Sequence, residues 1–328
     1  MQILLTGGAG YIGSHVALGL LDLGHKVFII DNLSKGNENL IPKNAEFLKC
    51  NINDQTTIES LLKKKKFDAL MHFAGYIEVE ESVKYPEKYF ENNTDNSIKL
   101  FEVCIRNNLS NILFSSTAAA YGNPSSNFPI KESAELKPIN PYGESKVKTE
   151  NYLIDGINEK INYIILRYFN VAGADPHMRS GLISKNATHL IKIASEAAIG
   201  KREKVIIFGD DYDTLDGTAI RDYIHITDLA EIHIKALNYM IINKKSEVFK
   251  CGYGKGYSVK KVLDEANKIC GNKINIKVGP RRDGDASILV SDITKLQEIL
   301  DWKPSYNKLD YIIKSSIEWE KKIKNDKF

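Results

Sequence analysis

A glycine-rich turn follows the first apolar run of this chain directly, and few features constrain a fold as much. The run "QILLT" (2–6) leads into "TGGAGYIGSH", where Gly7, Gly10 and Gly13 fall at G-x-x-G-x-x-G spacing. Glycines here let the backbone pass tightly from strand to helix and approach a pyrophosphate, whose charge meets the N-terminus of the new helix. Any strand-to-helix turn uses glycine, so the turn alone says little. The next strand makes it informative: "KVFII" (26–30) runs into Asp31, 18 residues beyond Gly13. That is close to the ~20-residue spacing of a carboxylate that hydrogen-bonds an adenosine ribose. The lesser alternative for Asp31 is a loop N-cap or an Asx turn. A carboxylate there repels a 2′-phosphate, and only Lys35 follows nearby, so the pattern favours NAD over NADP.

The strand–helix rhythm continues. "AEFLKC" (45–50), "DALMHFAG" (68–75), "NILFSS" (111–116) and "NYIILRYF" (162–169) read as buried strands, with amphipathic stretches at 54–65, 87–107 and 142–158 between them. Repeated strand–helix–strand units make right-handed crossovers and a parallel sheet. The expected fold class is α/β, a doubly wound parallel (Rossmann) sheet over residues 1–172. A smaller C-terminal α/β substrate lobe is expected over 173–328. Helices are expected there at 184–199, 228–242, 258–270 and 308–323, with Asp228 and Ser258 as N-caps.

Composition excludes several classes. The chain has 328 residues, 43% hydrophobic and 27% charged, with a net charge of +3. That charge is too small to imply nucleic acid or an acidic membrane surface as a partner. The four cysteines, Cys50, Cys104, Cys251 and Cys270, are scattered without Cys/His clustering, which argues against a metal site and a disulfide framework. No apolar run reaches the length of a membrane span, and the chain opens on "QILLT" without a signal-like segment. A cytoplasmic setting is expected.

The chemistry gathers at the fifth strand. "FSSTAAAYG" (114–122) places Ser115, Ser116 and Thr117 at the carboxyl end, the end that faces the ligand crevice in a doubly wound sheet. In "PYGESK", Tyr142 and Lys146 stand one helical turn apart and share a face. A phenol with a pKa near 10 is a poor base at neutral pH. A nearby ammonium and a positive nicotinamide ring would both favour phenolate. A Thr117 hydroxyl could hydrogen-bond the reacting oxygen. A Y-x-x-x-K pair alone is as readily a solvated helix face; the nucleotide fingerprint upstream gives it meaning.

These motifs together resemble the extended short-chain dehydrogenase/reductase superfamily and, more narrowly, its UDP-glucose 4-epimerases. The resemblance runs nearly end to end through "TGGAGYIGSH", "DNLSKG", "HFAG", "ESVKYPEKYFENNT", "FSSTAAAYG", "PYGESK", "LRYFNVAGA", "IFGDDYDTLDGTAIRDYIHITDLA" and "PRRDGD". It implies that Tyr11, Ile12, Asp31 and Asn32 touch the adenosine and pyrophosphate of NAD. It sets Asn51 and Ile52 beside adenine, Phe73, Ala74, Gly75 and Asn92 along the middle of the cofactor, and Phe169 near the nicotinamide. Thr117, Tyr142 and Lys146 match the catalytic hydroxyl, base and lysine. Asn170, Asn186, Arg221, Arg282 and Asp285 match positions that hold the UDP-sugar; the two arginines would offer guanidinium forks to its diphosphate. Ion pairing with the adjacent Asp222 and Asp283 is the plainer reading of those arginines.

The departures from the family pattern are few. Asn51 stands where aspartate is common, and Ile77 where lysine is. Leu289, four residues beyond Asp285, occupies a position that governs the sugar pocket. Related enzymes with tyrosine there take glucose and galactose, small residues admit N-acetylated sugars, and leucine is intermediate.

The implied reaction interconverts UDP-glucose and UDP-galactose through a transient 4-keto sugar, without net redox change. A UDP-N-acetylglucosamine 4-epimerase, or an enzyme acting on both sugars, is the alternative. A 4,6-dehydratase would need an acid and a base directly after Thr117, where Ala118, Ala119 and Ala120 stand. A simple dehydrogenase would exchange its nicotinamide each cycle. A nucleotide sensor would have no use for Thr117, Tyr142 and Lys146 together. The resemblance further implies a homodimer built from helices 87–107 and 142–158.

Overall fold

The computed structural model describes residues 1–124, 129–156, 161–184, 187–271, 274–282 and 285–326. Ile3, Leu4 and Leu5 of the first strand have no exposed surface, and strands apolar on both faces belong in the middle of a parallel sheet. Six strands follow the first half of the chain: β1 (Gln2–Thr6), β2 (Lys26–Asp31), β3 (Glu46–Lys49), β4 (Ala69–His72), β5 (Asn111–Thr117) and β6 (Asn162–Tyr168). The later strands are β7 (Asn170–Ala172), β8 (Val205–Phe208), β9 (Ile220–His225), β10 (Glu247–Cys251), β11 (Gly256–Ser258), β12 (Ile276–Gly279) and β13 (Ile288–Leu289).

The main sheet has seven strands in the order β10-β6-β5-β4-β1-β2-β3. β1 pairs in parallel with β2 and β4, setting Thr6 opposite Ile30 and His72; β2 pairs in parallel with β3, and β4 with β5. Strand order therefore reverses between β1 and β4, the switch point where doubly wound sheets bind their ligands. Leu4, Ile30, Leu70, Ile112, Phe114 and Ile165 form a core with Ile58 and Leu62 of helix Gln55–Lys64 and with Leu100, Phe101 and Cys104 of helix Asn96–Arg106.

The expected helix 87–107 is one rod with a defect. Pro86–Tyr89 and Asn96–Arg106 are α-helical, while Phe90–Asp95 between them is a π-helix, a wide turn frequent at functional sites. Helix Pro141–Asn151 starts on Asn140, whose side chain accepts from the Gly143 N–H, and Pro141 suits the first position because it has no N–H to satisfy. A π-helical turn, Tyr152–Gly156, continues it; positions 157 and 158 of the expected helix lie outside the described residues.

The chain divides into two compact units, and neither is contiguous. The first comprises 1–122, 135–167 and 230–249, the second 123–134, 168–229 and 250–328. The expected cut at 172 falls near the crossing at 167/168, but two segments change sides for local reasons. Residues 230–249 carry Ile234, whose Cδ1 lies 2.9 Å from where a Cβ on Gly19 would stand, and His233, whose ring is 5.2 Å from Phe73. Residues 123–134 carry Ile130, whose N–H donates to Val290 O and whose carbonyl accepts from the Asp292 N–H, both at 2.9 Å.

In the second unit, helices Leu190–Ala198, Val259–Cys270 and Leu309–Asp326 share a core through Ile191, Ala194, Leu263, Ile313 and Ile317. Ser258 caps its helix as expected, accepting from the Lys261 N–H. Asp228 does not cap one. Its helix already begins at Ile226, and the fully buried Asp228 carboxylate instead accepts from the Ser305 and Tyr306 N–H groups and the Tyr253 hydroxyl. Replacing Asp228 with alanine strips all three donors of their acceptor and should lower the unfolding free energy by about 3 kcal/mol in urea titration, whereas a loss below about 0.5 kcal/mol would refute its anchoring role.

Candidate active site

The expected cofactor residues of the first unit cluster at the carboxyl ends of its strands. Gly7 follows β1, Asp31 ends β2, Asn51 and Ile52 follow β3, Phe73, Ala74 and Gly75 follow β4, and Thr117 ends β5. Gly7 has φ +73°, and a Cβ there would meet the Ala74 backbone nitrogen at 2.5 Å. On Gly13 a Cβ would lie 2.4 Å from Gly7 O. Both glycines are thus required by backbone approach within the turn. Helix Tyr11–Asp22 begins at Gly10 with no side-chain cap and no acidic residue in its first turn, leaving its positive end available to an anion. A dinucleotide phosphate fits this cradle.

Asp31 closes the Asx turn weighed for it and also reaches the glycine-rich turn. Oδ1 accepts from the Leu33 N–H at 2.8 Å, an Asx turn, and Oδ2 accepts from the Ala9 N–H at 3.0 Å, which ties the carboxylate to the glycine-rich turn. Burial raises its pKa, and the two backbone hydrogen bonds oppose that rise. Each oxygen keeps acceptor capacity for a ribose hydroxyl. The amide oxygens of Asn32 and Asn51 also sit in Asx turns, accepting from Ser34 and Asn53. Tyr11 and Ile12 are half-buried in the first helical turn, and Ile52 is buried.

At the end of β5, helix Pro141–Asn151 brings Tyr142 and Lys146 onto the strand. Tyr142 is half-buried and hydrogen-bonds Thr117. Lys146 Nζ is buried, donates to Ser115 O at 2.9 Å and lies 4.8 Å over the Phe114 ring. A Cβ on Gly75 would be 3.3 Å from that nitrogen. Burial lowers the Lys146 pKa to about 8, with the Glu150 charge pushing the other way. Burial raises the Tyr142 phenol above its ordinary value, and the Thr117 hydrogen bond pulls it part of the way back. The protein by itself therefore does not bring the phenol down; the expected shift also counts on the positive nicotinamide ring.

One further expectation changes. Of the three hydroxyls at the strand end, only Thr117 meets Tyr142. Side chains alternate along a strand, and Ser116 turns its hydroxyl to Glu150, while Ser115 serves through its carbonyl. Asn92 donates to Asn93 Oδ1 at 3.0 Å, and Asn93 is the more committed of the two. Its amide brackets Tyr76, accepting from N–H at 2.8 Å and donating to O at 2.9 Å, and also donates to Ser145 Oγ at 3.2 Å. No motif spacing pointed to Asn93, and its burial shows only in the structure. Ile77 is exposed.

The residues expected on the sugar side belong to the second unit. Arg221 reaches Asp285 at 3.4 Å rather than its sequence neighbour Asp222. Asp222 is fully buried and accepts from the Tyr253, Gly254 and Ser291 N–H groups and the Ser291 hydroxyl. β13 pairs in parallel with β9 so that Leu289 lies opposite Arg221. The Arg282 guanidinium stacks 3.8 Å over the Phe208 ring. Phe169 is buried, its N–H donating to Cys251 O, and Asn170 in β7 pairs with Tyr223. Asn186 and Asp283 lie outside the described residues. Among the described residues no cluster of His, Cys, Asp and Glu could hold a metal ion, and no helix is long and apolar enough to cross a membrane.

The NAD dependent epimerase/dehydratase family matches residues 3–252. This chain belongs to that family. A UDP-glucose 4-epimerase of Azospirillum brasilense is 45% identical over 98% of this chain and 92% of its own. The crystal structure of a UDP-glucose 4-epimerase from Stenotrophomonas maltophila with bound NAD and formylated UDP-arabinopyranose superposes with a TM-score of 0.95, at 32% identity over 99% of both chains. The UDP-Glc/GlcNAc 4-epimerase of Campylobacter jejuni is 44% identical over 98% of this chain and 99% of its own, with a TM-score of 0.85.

The cradle makes a direct prediction for this epimerase-family chain. Gly7→Ala adds a side chain to a left-handed backbone and drives it into Ala74, so the variant should bind NAD at least about tenfold more weakly in calorimetry. Gly24→Ala, at φ +77° with nothing within 4 Å of a Cβ, is the control and should keep its affinity. Equal affinity for all three proteins would sink the assignment of the cradle.

Proposed function

We propose that this protein is an NAD-dependent UDP-glucose 4-epimerase, interconverting UDP-glucose and UDP-galactose. The observation that carries the reading is the convergence at the end of β5. There Tyr142 hydrogen-bonds Thr117, and Lys146 lies one turn along the same helix. All three stand in the unit whose strand ends carry the glycine cradle and Asp31.

In this reading, Gly7, Gly10 and Gly13 with the N-terminus of helix Tyr11–Asp22 hold the pyrophosphate of NAD, and Asp31 holds the adenosine ribose. NAD, when bound, supplies the oxidant that takes the hydrogen from sugar carbon 4 and gives it back. Tyr142 accepts the proton of the sugar 4-hydroxyl and later returns it, and Thr117 holds the same oxygen by a hydrogen bond. Lys146 supplies the fixed positive charge one turn away. The protein alone leaves the Tyr142 phenol high, and the positive ring of bound NAD would favour its phenolate. Arg221 and Arg282 hold the diphosphate, with Asn170, Asn186 and Asp285 beside it. Holding the nucleotide firmly and the hexose loosely lets the 4-keto sugar present its other face.

A dehydratase outcome is disfavoured by the residues after Thr117. Ala118 and Ala120 are buried alanines in a short 3₁₀ turn, and Ala119 uses its N–H on Thr117 Oγ1. None of these three side chains is an acid or a base for elimination. A second reading, activity on the UDP-N-acetylhexosamines as well, is favoured by Leu289. It is half-buried, lies opposite Arg221 and is smaller than a tyrosine. We further propose a cytoplasmic homodimer joined through helices Pro86–Arg106 and Pro141–Asn151. Four free cysteines suit a reducing compartment, and light scattering of the purified protein reads the mass.

Incubation without added cofactor, with UDP-glucose or UDP-N-acetylglucosamine, should give the galacto epimers by NMR with no net NADH. Accumulation of an oxidised or dehydrated sugar would overturn the reading. Tyr142→Phe should lower kcat by about 10³-fold while NAD still copurifies; an undiminished rate would remove Tyr142 as the base.

A further inference from the structure

Three side chains of helix Pro141–Asn151, spaced one turn apart, meet three consecutive residues of β5. Tyr142 hydrogen-bonds Thr117, Lys146 donates to Ser115 O, and Glu150 accepts from the Ser116 hydroxyl. The first two contacts belong to the chemistry already described. The third does not, yet it is the most heavily built. Glu150 is completely buried. Beyond Ser116, it receives Arg167 of β6 through Nε to both oxygens at 3.1 Å and through a terminal nitrogen to Oε2 at 2.6 Å. Arg167, itself buried, donates onward to the Tyr121 hydroxyl at 2.9 Å and stacks 5.2 Å from that ring. Tyr121 closes the 3₁₀ turn Ala118–Tyr121 that begins at Thr117.

Glu150 thus joins every piece of backbone that carries the proposed proton-transfer set: the helix of Tyr142 and Lys146, the strand end before Thr117 and, through Arg167, the turn after it. A buried ion pair is an expensive way to gain stability, since apolar residues of the same volume often serve as well. What a bidentate pair gives that apolar packing does not is a fixed register between the groups it joins.

We propose that Glu150 is a positioning residue for the 4-epimerase reaction, clamping the helix of Tyr142 and Lys146 to the ends of β5 and β6 and facing Lys146 with a negative charge. The proposal rests on the functional reading above. The charged and titratable groups around Lys146 make its sign definite. On its own helix stand Tyr142 and Glu150. From β4 comes His72, held neutral because burial and Lys146 push its pKa to about 3. From β6 comes Arg167, whose charge Glu150 offsets. Removing the Glu150 charge takes away the attraction for the Lys146 ammonium and leaves Arg167 uncompensated. Both effects lower the Lys146 pKa below about 8, so the alkaline limb of activity moves to lower pH.

Glu150→Gln keeps the shape and removes the charge. In folded Glu150→Gln that still carries NAD, kcat should fall about 10- to 100-fold with KM for the UDP-sugar within about threefold. The alkaline limb and the Lys146 titration, read by NMR of isotope-labelled lysine with Lys146→Met for assignment, should both move down by about one pH unit. Glu150→Asp should restore the limb more than the rate. Ser116→Ala, which keeps the charge but cuts the link to the strand, should lower kcat about tenfold with the limb unmoved, and it decides the matter should Glu150→Gln not fold. Wild-type kcat and an unmoved Lys146 titration in Glu150→Gln, or wild-type kcat in Ser116→Ala, would overturn the proposal. An inactive wild-type protein whose Lys146 titration still responds to Glu150→Gln would instead fault the functional reading.

Discussion

The buried ammonium of Lys146 is the interaction on which the arrangement of the first unit turns. A lysine left unpaired in an apolar interior would lose its proton. Here the nitrogen is held by Ser115 O and the face of Phe114; burial lowers its pKa to about 8, and the Glu150 charge opposes that fall. Each partner comes with a structural consequence. The carbonyl belongs to β5, so the helix must lie along that strand end. The ring belongs to the same strand, so Phe114 must face the helix. Glu150 sits one turn further on, so the helix must stay regular between them. Satisfying one charge fixes where Tyr142 stands, and Tyr142 stands against Thr117.

The features that were legible in the amino-acid sequence are those with a local physical cause. Fully buried parallel strands read as apolar runs, and all six strands of the first half fall within a residue or two of expectation, apart from the end of β4. The glycine turn and Asp31 were legible because a strand-to-helix cradle needs particular residues at particular offsets. Features set by long-range pairing left no such trace. The π-helical turn Phe90–Asp95 looks like ordinary helix in sequence. Asp228 has the composition of an N-cap, and only the 305–306 backbone folding against it shows why it is buried. Arg221 stands beside Asp222 in sequence, but strand alternation sends neighbours to opposite faces, and its partner is Asp285. Glu150 and Asn93 are polar residues in helices, indistinguishable by pattern from solvated ones.

The second unit shows the same economy around Asp222. Its carboxylate gathers Tyr253, Gly254 and Ser291, so three chain segments converge behind β9. There is no room for even a methyl group on Gly252, where a Cβ would lie 2.4 Å from both Asp222 and Ser291. The segment holding Ser291 is the continuation of β13, so the position of Leu289 opposite Arg221 is dictated from behind the sheet. The Arg221–Asp285 contact is longer and half exposed, worth little as a source of stability. A tightly tied back and a loosely paired front suit the role proposed for Arg221, exchanging its carboxylate for a ligand phosphate.

The same reasoning separates epimerisation from its chemical neighbours. Borrowing a hydrogen and returning it demands one acid–base group and nothing more, because the group that takes the proton from the 4-oxygen must give it back. A second acid or base within reach of the ketone would invite elimination at the neighbouring carbons. Beside Thr117 stands the Tyr142 phenol, and the turn that follows offers alanines until Tyr121, whose hydroxyl accepts from Arg167. The Glu150 carboxylate is equally committed, closed off by Ser116 and Arg167. Committing the Tyr121 hydroxyl and the Glu150 carboxylate to Arg167 is a restraint that suits a keto sugar returning by reduction.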